Sequence, residues 1–222
     1  MPKETFFNLP EEKRLLIESA ATDEFGEYGF DNASINRIVA AAGIAKGSFY
    51  QYFEDKVDLY KHMITKFGEQ KLAYLSPVMK NPFEHDFFTL LEELYRSGLA
   101  FARDNPKAGK IGFEIFKNQT TPVFEEIYQD TRRQAGPFFE SLLDQAISCG
   151  EVDPGIDKGF IIHLLIHLQA ASFDYYFQTV KAGDVDPTGW TDDVMPTVNL
   201  MINFIKNGIQ LQKQGVLTND QS

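Results

Sequence analysis

Residues 34–53 read SINRIVAAAGIAKGSFYQYF, a pattern typical of two short helices set at an angle around a glycine turn. Apolar side chains recur at helical spacing over residues 35–42, which predicts one buried stripe on the first helix. Ser34 is placed to cap that helix through its hydroxyl. Gly43 should end it, because a residue without a Cβ takes the left-handed conformation at low cost. Proteins with this arrangement lay the second helix in the major groove of DNA.

The second helix is predicted to bury Phe49 and Phe53, which lie four residues apart and therefore on one face. The opposite face is polar and aromatic. Its members are Lys46, Gly47, Ser48, Tyr50, Gln51 and Tyr52. This second face is the predicted DNA-contacting surface.

The residue types on this face favour different parts of DNA. A Gln amide can pair with adenine through two hydrogen bonds, so Gln51 and Ser48 are predicted to reach base edges. A lysine or a tyrosine hydroxyl suits a phosphate, and a glycine lets the backbone approach closely. The positioning contacts are therefore assigned to Lys46, Gly47, Tyr50, Tyr52 and Lys56, together with Ser34 and Arg37 on the first helix, of which Arg37 reaches either a base or a phosphate.

The segment from about residue 11 to 60 resembles the tetracycline-repressor (TetR) family of one-component bacterial transcription regulators. The family pattern is F-x-x-x-G-[FY], then T/S-x-x-x-I, an A-G-[VI] turn, a K-G element and a Y-x-[HY]-F close. This chain supplies these elements in order at residues 25–30, 34–38, 42–44, 46–47 and 50–53. Ala45 stands where the family usually has Ser or Thr, and Tyr52 where it often has His.

The resemblance implies an all-α fold of about nine helices. A three-helix helix-turn-helix DNA-binding domain is expected over residues 1–56, and a helical effector-binding and dimerisation domain over 57–222. It also implies a homodimeric regulator, with repression as its default, that is released from a palindromic operator by a small-molecule effector. The helices of the chain are predicted at 11–29, 35–42, 45–53, 54–75, 87–103, 108–117, 121–148, 156–181 and 191–212.

Length and composition further restrict the class of protein. At 222 residues the chain can bury a full core, and its single cysteine, Cys149, excludes an internal disulfide framework and a Cys-based zinc site. The first 14 residues lack the apolar core of a signal peptide, and the most apolar run, residues 160–168, is too short to span a bilayer. We therefore expect a soluble cytoplasmic protein.

The net charge of −11 weighs against binding to DNA by bulk attraction. Residues 1–56 alone hold six Lys or Arg against ten Asp or Glu. Because screening decays over about 8–10 Å at physiological salt, the few cations near the phosphates should decide the interaction. Weak non-specific binding and a modest salt dependence are expected.

Aromatic residues are abundant, with 20 Phe and 9 Tyr, and many lie in the C-terminal part. Most should be core, but together they favour an apolar or aromatic effector. The predicted effector pocket consists of Phe67, Phe101, Phe113, Phe116, Tyr128, Arg132, Gln169, Phe173 and Tyr176.

The helices at 156–181 and 191–212 are predicted to pair in a dimer. The candidate interface residues are His163, His167, Val198, Ile202, Ile205 and Ile209. His163 and His167 are also four residues apart, as metal ligands can be, but no Glu between them makes an H-E-x-x-H motif. Packed histidines are the favoured interpretation, and no cofactor or metal is assigned.

Two alternatives to the ligand-responsive regulator stay open. One is a DNA-binding regulator controlled by a protein partner or by its abundance, without a small-molecule effector. The other is a metal-dependent enzyme that uses His163 and His167. The chain shows no G-x-S-x-G element, phosphate-cradling glycine loop or Cys/His pairing, so an enzyme is not predicted.

Overall fold

The computed structural model describes residues 1–79, 85–117, 121–180 and 194–210. Within them the chain forms ten α-helices and a π-helical turn at Tyr176–Val180. The helices are α1 (Glu4–Phe7), α2 (Glu11–Asn32), α3 (Ile35–Ala41), α4 (Lys46–Tyr52), α5 (Lys56–Met79), α6 (Phe87–Asp104), α7 (Pro106–Lys117), α8 (Pro122–Ser148), α9 (Lys158–Tyr175) and α10 (Met195–Ile209). The all-α prediction is confirmed, and α1 is an addition to the nine predicted helices.

Helices α2, α3 and α4 form the N-terminal unit. The turn between α3 and α4 has the predicted geometry, since Gly43 has a φ of 65° and the Ile44 N–H donates to the Val39 carbonyl at 3.0 Å. This pair of features ends α3 in the way that a left-handed glycine allows. Ser34 occupies the N-cap position of α3, but its hydroxyl makes no capping hydrogen bond, so that part of the prediction was wrong.

Helix α2 is interrupted at Gly29, the residue where it was predicted to end. Gly29 breaks its regular geometry with φ 70° and ψ 172°, and the chain then turns once more to Asn32. Only glycine adopts this backbone region readily. The break changes the direction of the chain just before the helix-turn-helix, so the geometry at Gly29 sets where α3 begins.

The first hydrophobic core is not confined to the N-terminal unit. It includes Phe25, Phe49 and Tyr60, but also Ile111 on α7 and Phe124 on α8. The helix-turn-helix is therefore packed directly on the rest of the chain. A domain boundary at residue 56 stays a prediction, and α5 begins at Lys56.

A second core lies among helices α6, α8, α9 and α10. Asp86 is the N-cap of α6, and its carboxylate accepts the N–H groups of Phe88 and Thr89 at 3.1 Å each; Asp157 is the N-cap of α9 and accepts the Phe160 N–H. Helix α9 ends earlier than predicted and passes into the π-helical turn. The first residues of the helix predicted at 191–212 lie outside the described residues.

Four residues that were predicted to form a dimer interface lie inside this second core. They are Val198, Ile202, Ile205 and Ile209. The prediction was wrong because these side chains face α6 and α9 of their own chain. Among the described residues, no helix is long and apolar enough to cross a membrane.

Candidate nucleic-acid interface

Helix α4 has one buried and one exposed face. Phe49 and Phe53 are fully buried, as predicted, and anchor the helix in the first core. The solvent-exposed residues of α4 are Lys46, Gly47, Tyr50 and Gln51, and Ser48 is half-buried. The outward face is thus polar, carries one cation and is open to a duplex.

Tyr52 does not belong to that face. Its side chain is only 7% exposed, and its ring lies 6.3 Å from the ring of Phe6 on α1. The predicted DNA contact of Tyr52 was wrong because the N-terminal helix covers this ring. No signal within residues 34–53 could have shown it.

Nothing in the described part of the chain requires a glycine at position 47. A Cβ built there would meet nothing within 4 Å, and the residue sits in the first turn of α4 with no positive φ. Gly43 is different, since its φ is 65°. An alanine at position 47 would favour the helix, so the folded chain alone does not explain the glycine.

Arg37 is held by its own chain. Its Nε donates to Glu24 Oε1 at 2.9 Å, its Nη2 donates to the Asn32 carbonyl at 2.8 Å, and its guanidinium lies 4.3 Å from the centre of the Tyr28 ring. Burial alone would raise the pKa of Glu24, but hydrogen bonds from Arg37 and the Ser34 N–H outweigh it and hold that pKa below its usual value. The pair fixes the start of α3 against α2.

Lys56 also has an internal role. Its Nζ donates to three carbonyl groups, those of Phe30 at 2.6 Å and of Asp31 and Ala33 at 3.2 Å each. An ammonium group has three N–H donors, so all of them are used. The predicted phosphate contact of Lys56 is therefore corrected: this lysine caps the carbonyls of the turn that leads into α3.

The N-terminal segment, for which no helix was predicted, packs against α4. Phe6 on α1 is 1% exposed, and its ring lies 4.8 Å from that of Phe53. The Lys3 N–H donates to the Tyr52 carbonyl at 2.8 Å. The apolar pair at residues 6–7 is the sequence signal that could have indicated this packing.

A charged cluster lies beside that segment. Glu18 on α2 contacts His62 Nε2 at 2.9 Å and is paired with Lys66, both on α5. Burial would raise the pKa of Glu18, but the hydrogen bonds from His62 and Lys66 lower it below its usual value. A cavity of about 200 Å³ opens next to the cluster and is lined by Phe6, Phe7, Glu11, Arg14, Leu15, Glu18 and His62.

A second carboxylate links the helix-turn-helix unit to the rest of the chain. Glu114 on α7 accepts the Phe30 N–H at 3.1 and 3.2 Å and lies 3.3 Å from the Tyr60 hydroxyl. Burial raises the pKa of Glu114, and the two hydrogen bonds only partly offset it. A Cβ at Gly29 would lie 2.9 Å from this carboxylate. The contact therefore needs glycine at position 29 for space as well as for conformation.

The described members of the predicted effector pocket are divided between the two hydrophobic cores. Phe67, Phe101 and Tyr128 belong to the first core, whereas Phe173 and Tyr176 belong to the second. Phe113 and Gln169 are half-buried, and the side chains of Phe116 and Arg132 lie outside the described part. A single effector pocket stays a prediction, because aromatic spacing does not distinguish two packed cores from a cavity wall.

His163 and His167 are half-buried neighbours on α9, with ring centres 4.1 Å apart. The His167 Nε2 lies 3.4 Å from the Tyr128 hydroxyl on α8. In the described part of the chain, no group of three or more His, Cys, Asp or Glu side chains could hold a metal ion.

Large apolar side chains are exposed on the last two helices. Leu200 and Phe204 on α10 are 65% and 68% exposed, and Phe160 and Tyr175 on α9 are also exposed. Leu200 and Phe204 lie four residues apart and so form one stripe, opposite to the stripe that enters the second core. We call these two residues the α10 outer stripe.

Comparison with known proteins gives the same family from sequence and from structure. Residues 17–63 match the model for bacterial regulatory proteins of the tetR family. YvdT, an uncharacterized HTH-type transcriptional regulator of Bacillus subtilis, is 28% identical over 174 residues, covering 76% of this chain and 81% of YvdT. The crystal structure of a TetR family transcriptional regulator from Chloroflexus aurantiacus is 30% identical, with a TM-score of 0.62 over 96% of this chain and 100% of that one.

A more distant structure shares the fold alone. FadR from Bacillus subtilis, solved in complex with stearoyl-CoA, has a TM-score of 0.68 at 15% identity over 88% of this chain and 98% of FadR. The Chloroflexus regulator is matched along its full length, and the family model covers the helix-turn-helix described above. This chain therefore belongs to the TetR family of DNA-binding transcriptional regulators.

Proposed function

We propose that this protein is a homodimeric repressor that reads a palindromic operator with α4 and is released by a small-molecule effector. The observation that carries the proposal is the exposed face of α4, where polar side chains surround a glycine that the fold does not require. Two recognition helices would enter successive major grooves about 34–36 Å apart. The cytoplasm is the proposed location.

The proposed contacts divide by chemistry. Lys46, Tyr50 and the Gly47 backbone suit phosphates, and Ser48 and Gln51 suit base edges. Arg37 and Ser34 stay at the margin of this surface, since both are tied to Glu24. With one exposed cation on α4, the salt dependence of binding should be shallow.

Replacing Gly47 with alanine tests the interface. Alanine should stabilise the free protein by about 0.5–1 kcal/mol, because it is the better helix former. It should also weaken binding to an operator selected from a random duplex library by about tenfold or more, since a Cβ would separate the helix from the backbone of DNA. Denaturation and fluorescence anisotropy measure the two effects. Unchanged or tighter operator binding would contradict the assigned surface.

The effector site is proposed between the helices that follow the helix-turn-helix. Lys71 on α5 is half-buried and packs on α6 at Gly98, where a Cβ would lie 3.2 Å from the lysine Cε. Among the described residues its ammonium has no hydrogen-bond or ion-pair partner, and burial lowers the pKa of this lysine. A half-buried cation without a counter-ion in the described part of the chain supports a role in binding an acidic ligand.

These features favour an effector with an acidic group on an apolar body. The FadR complex with stearoyl-CoA shows that another protein of this fold holds a ligand of this general kind. The coupling to DNA would pass through Glu114, which joins α7 to the turn before α3. An effector releases the operator only if it binds the two forms of the protein with different affinity.

Replacing Lys71 with methionine should remove the response to such an effector. We expect binding of stearate or stearoyl-CoA to weaken by about 10- to 100-fold, the effect of losing a charge-assisted hydrogen bond. Stability without ligand should not fall, because methionine removes an unpaired charge. Calorimetry with both ligands measures this, and Lys61→Met on the same helix is the matched control. Equal affinities in the two variants would remove Lys71 from the site.

The regulator without a small-molecule effector is the second candidate, since the described aromatic residues fill two cores. A thermal-shift screen separates the two candidates. If no acidic, aromatic or lipid-like compound raises the melting temperature or changes operator binding, control by a partner or by abundance is favoured. Metal analysis of the purified protein tests the metal-dependent enzyme, which would require stoichiometric metal.

A further inference from the structure

The recognition helix is too short to complete its own hydrogen bonding. Helix α4 has seven residues, and isolated helices of this length are unstable in water. The last four carbonyl groups of any helix have no partner within it. Here the Phe49 carbonyl accepts the Phe53 N–H at 2.9 Å, which leaves the carbonyls of Tyr50, Gln51 and Tyr52.

The N-terminal segment supplies a donor to each of these three carbonyls. The contacts run from Lys3 Nζ to the Tyr50 carbonyl at 2.9 Å, from the Thr5 hydroxyl to that of Gln51, and from the Lys3 N–H to that of Tyr52 at 2.8 Å. The three remaining carbonyls at the end of α4 are therefore all satisfied by residues more than 40 positions earlier in the chain.

Phe6 fixes the segment that carries these donors. Its ring is buried and packs 5.1 Å from the ring of His62 on α5 as well as against Phe53. Rotation of α1 away from α4 would expose this ring to water, at a cost of about 1.5–3 kcal/mol for a large apolar side chain. The donors are thus held in place by packing that is independent of the hydrogen bonds.

We propose that residues 3–6, here named the N-terminal clamp, position the recognition helix, so that sequence-selective binding depends on Lys3 and Thr5. The inference rests on the proposed operator binding through α4. Two of the three capped residues, Tyr50 and Gln51, belong to the proposed DNA-contacting face. The clamp lies outside residues 17–63, the range that matches the family model.

The double variant Lys3→Pro/Thr5→Val removes all three donors and keeps Phe6. Proline fits because Lys3 has a φ of −72°, and valine preserves the shape of threonine. We expect affinity for the selected operator to fall about tenfold or more, because a frayed helix reduces the binding-competent fraction. Affinity for a random duplex should change less than about twofold beyond the effect of Lys3→Met, which controls for the lost charge.

Hydrogen exchange gives a readout that does not depend on DNA. The Phe53 amide, which donates to the Phe49 carbonyl, should exchange faster in the double variant. The exchange rate of the Ala42 amide, which donates to the Ile38 carbonyl of α3, should not change. Thr5→Ser keeps the hydroxyl and should behave as the wild type. A purely structural role would instead lower both kinds of DNA binding and the melting temperature together.

Two results would overturn the clamp. One is an operator affinity within twofold of the wild type in the double variant, and the other is unchanged exchange at Phe53. If the wild-type protein selects no sequence at all, the proposed repressor function fails, whereas the exchange comparison still decides whether the clamp holds α4.

Discussion

Gly29→Ala should lower the free energy of unfolding by about 3 kcal/mol. Gly29 has φ 70° and ψ 172°, a region that costs a residue with a Cβ about 1–3 kcal/mol. The new Cβ would also lie 2.9 Å from Glu114 Oε1, so the carboxylate must shift and its contact with the Phe30 N–H weakens, at about 1 kcal/mol. Urea denaturation followed by circular dichroism, at one fixed protein concentration, measures the change.

Gly43→Ala is the matched control. Gly43 also has a positive φ, 65°, but a Cβ there would meet nothing within 4 Å. Only the conformational cost of about 1–2 kcal/mol is expected for it. The difference between the two variants combines the close approach of Glu114 on α7 with the higher conformational cost of the Gly29 backbone region.

A double-mutant cycle separates the two causes at Gly29. In a Glu114→Ala background the carboxylate is absent, so Gly29→Ala should cost only its conformational part. If the losses of unfolding free energy in the two single variants simply add in the double variant, the role of Glu114 is contradicted. A non-zero interaction free energy in this cycle would show that the turn before α3 is coupled to α7. Release of DNA by an effector requires such coupling.

Local sequence patterns were sufficient for the helix-turn-helix. Gly43 needs a left-handed conformation, and Phe49 and Phe53 share a helix face whatever surrounds them. Such features depend on neighbours within a few residues. The two short helices and the turn between them could therefore be predicted without knowledge of the fold.

Contacts between distant segments could not be predicted in this way. Lys56 carries the right charge for a phosphate, but its Nζ caps carbonyls about 25 residues away in sequence. Glu114 is separated from Phe30 by 84 residues, and the clamp from α4 by more than 40. Residue type gives the chemistry of these groups, whereas their partners depend on how helices pack.

Helix α10 shows that the sequence pattern also does not tell which of two apolar helix surfaces is buried. It carries one apolar stripe with Val198, Ile202 and Ile205, and a second with Leu200 and Phe204. Helical spacing identifies both but does not say which one faces the chain's own core. The structure assigns the first stripe to the second core and leaves the α10 outer stripe exposed.

Leu200→Glu and Phe204→Glu should each prevent dimerisation. Regulators of this family typically act as dimers, and the α10 outer stripe is 65% and 68% exposed at these two residues. We propose the α10 outer stripe as the pairing surface; a charge placed in an apolar interface costs about 2 kcal/mol or more, so the dimer dissociation constant should rise at least about 30-fold. Light scattering measures the mass, and titration of a palindromic operator measures the loss of DNA binding.

Leu16→Glu makes the same chemical change at a leucine that is 52% exposed on α2, and it should leave the dimer intact. Both glutamate variants on α10 should keep the melting behaviour of a folded monomer, because their side chains lie outside the second core. They should also retain weak binding to a single half-site, since α4 is untouched. A variant that remains dimeric and binds the palindrome normally would place the pairing surface elsewhere on the chain.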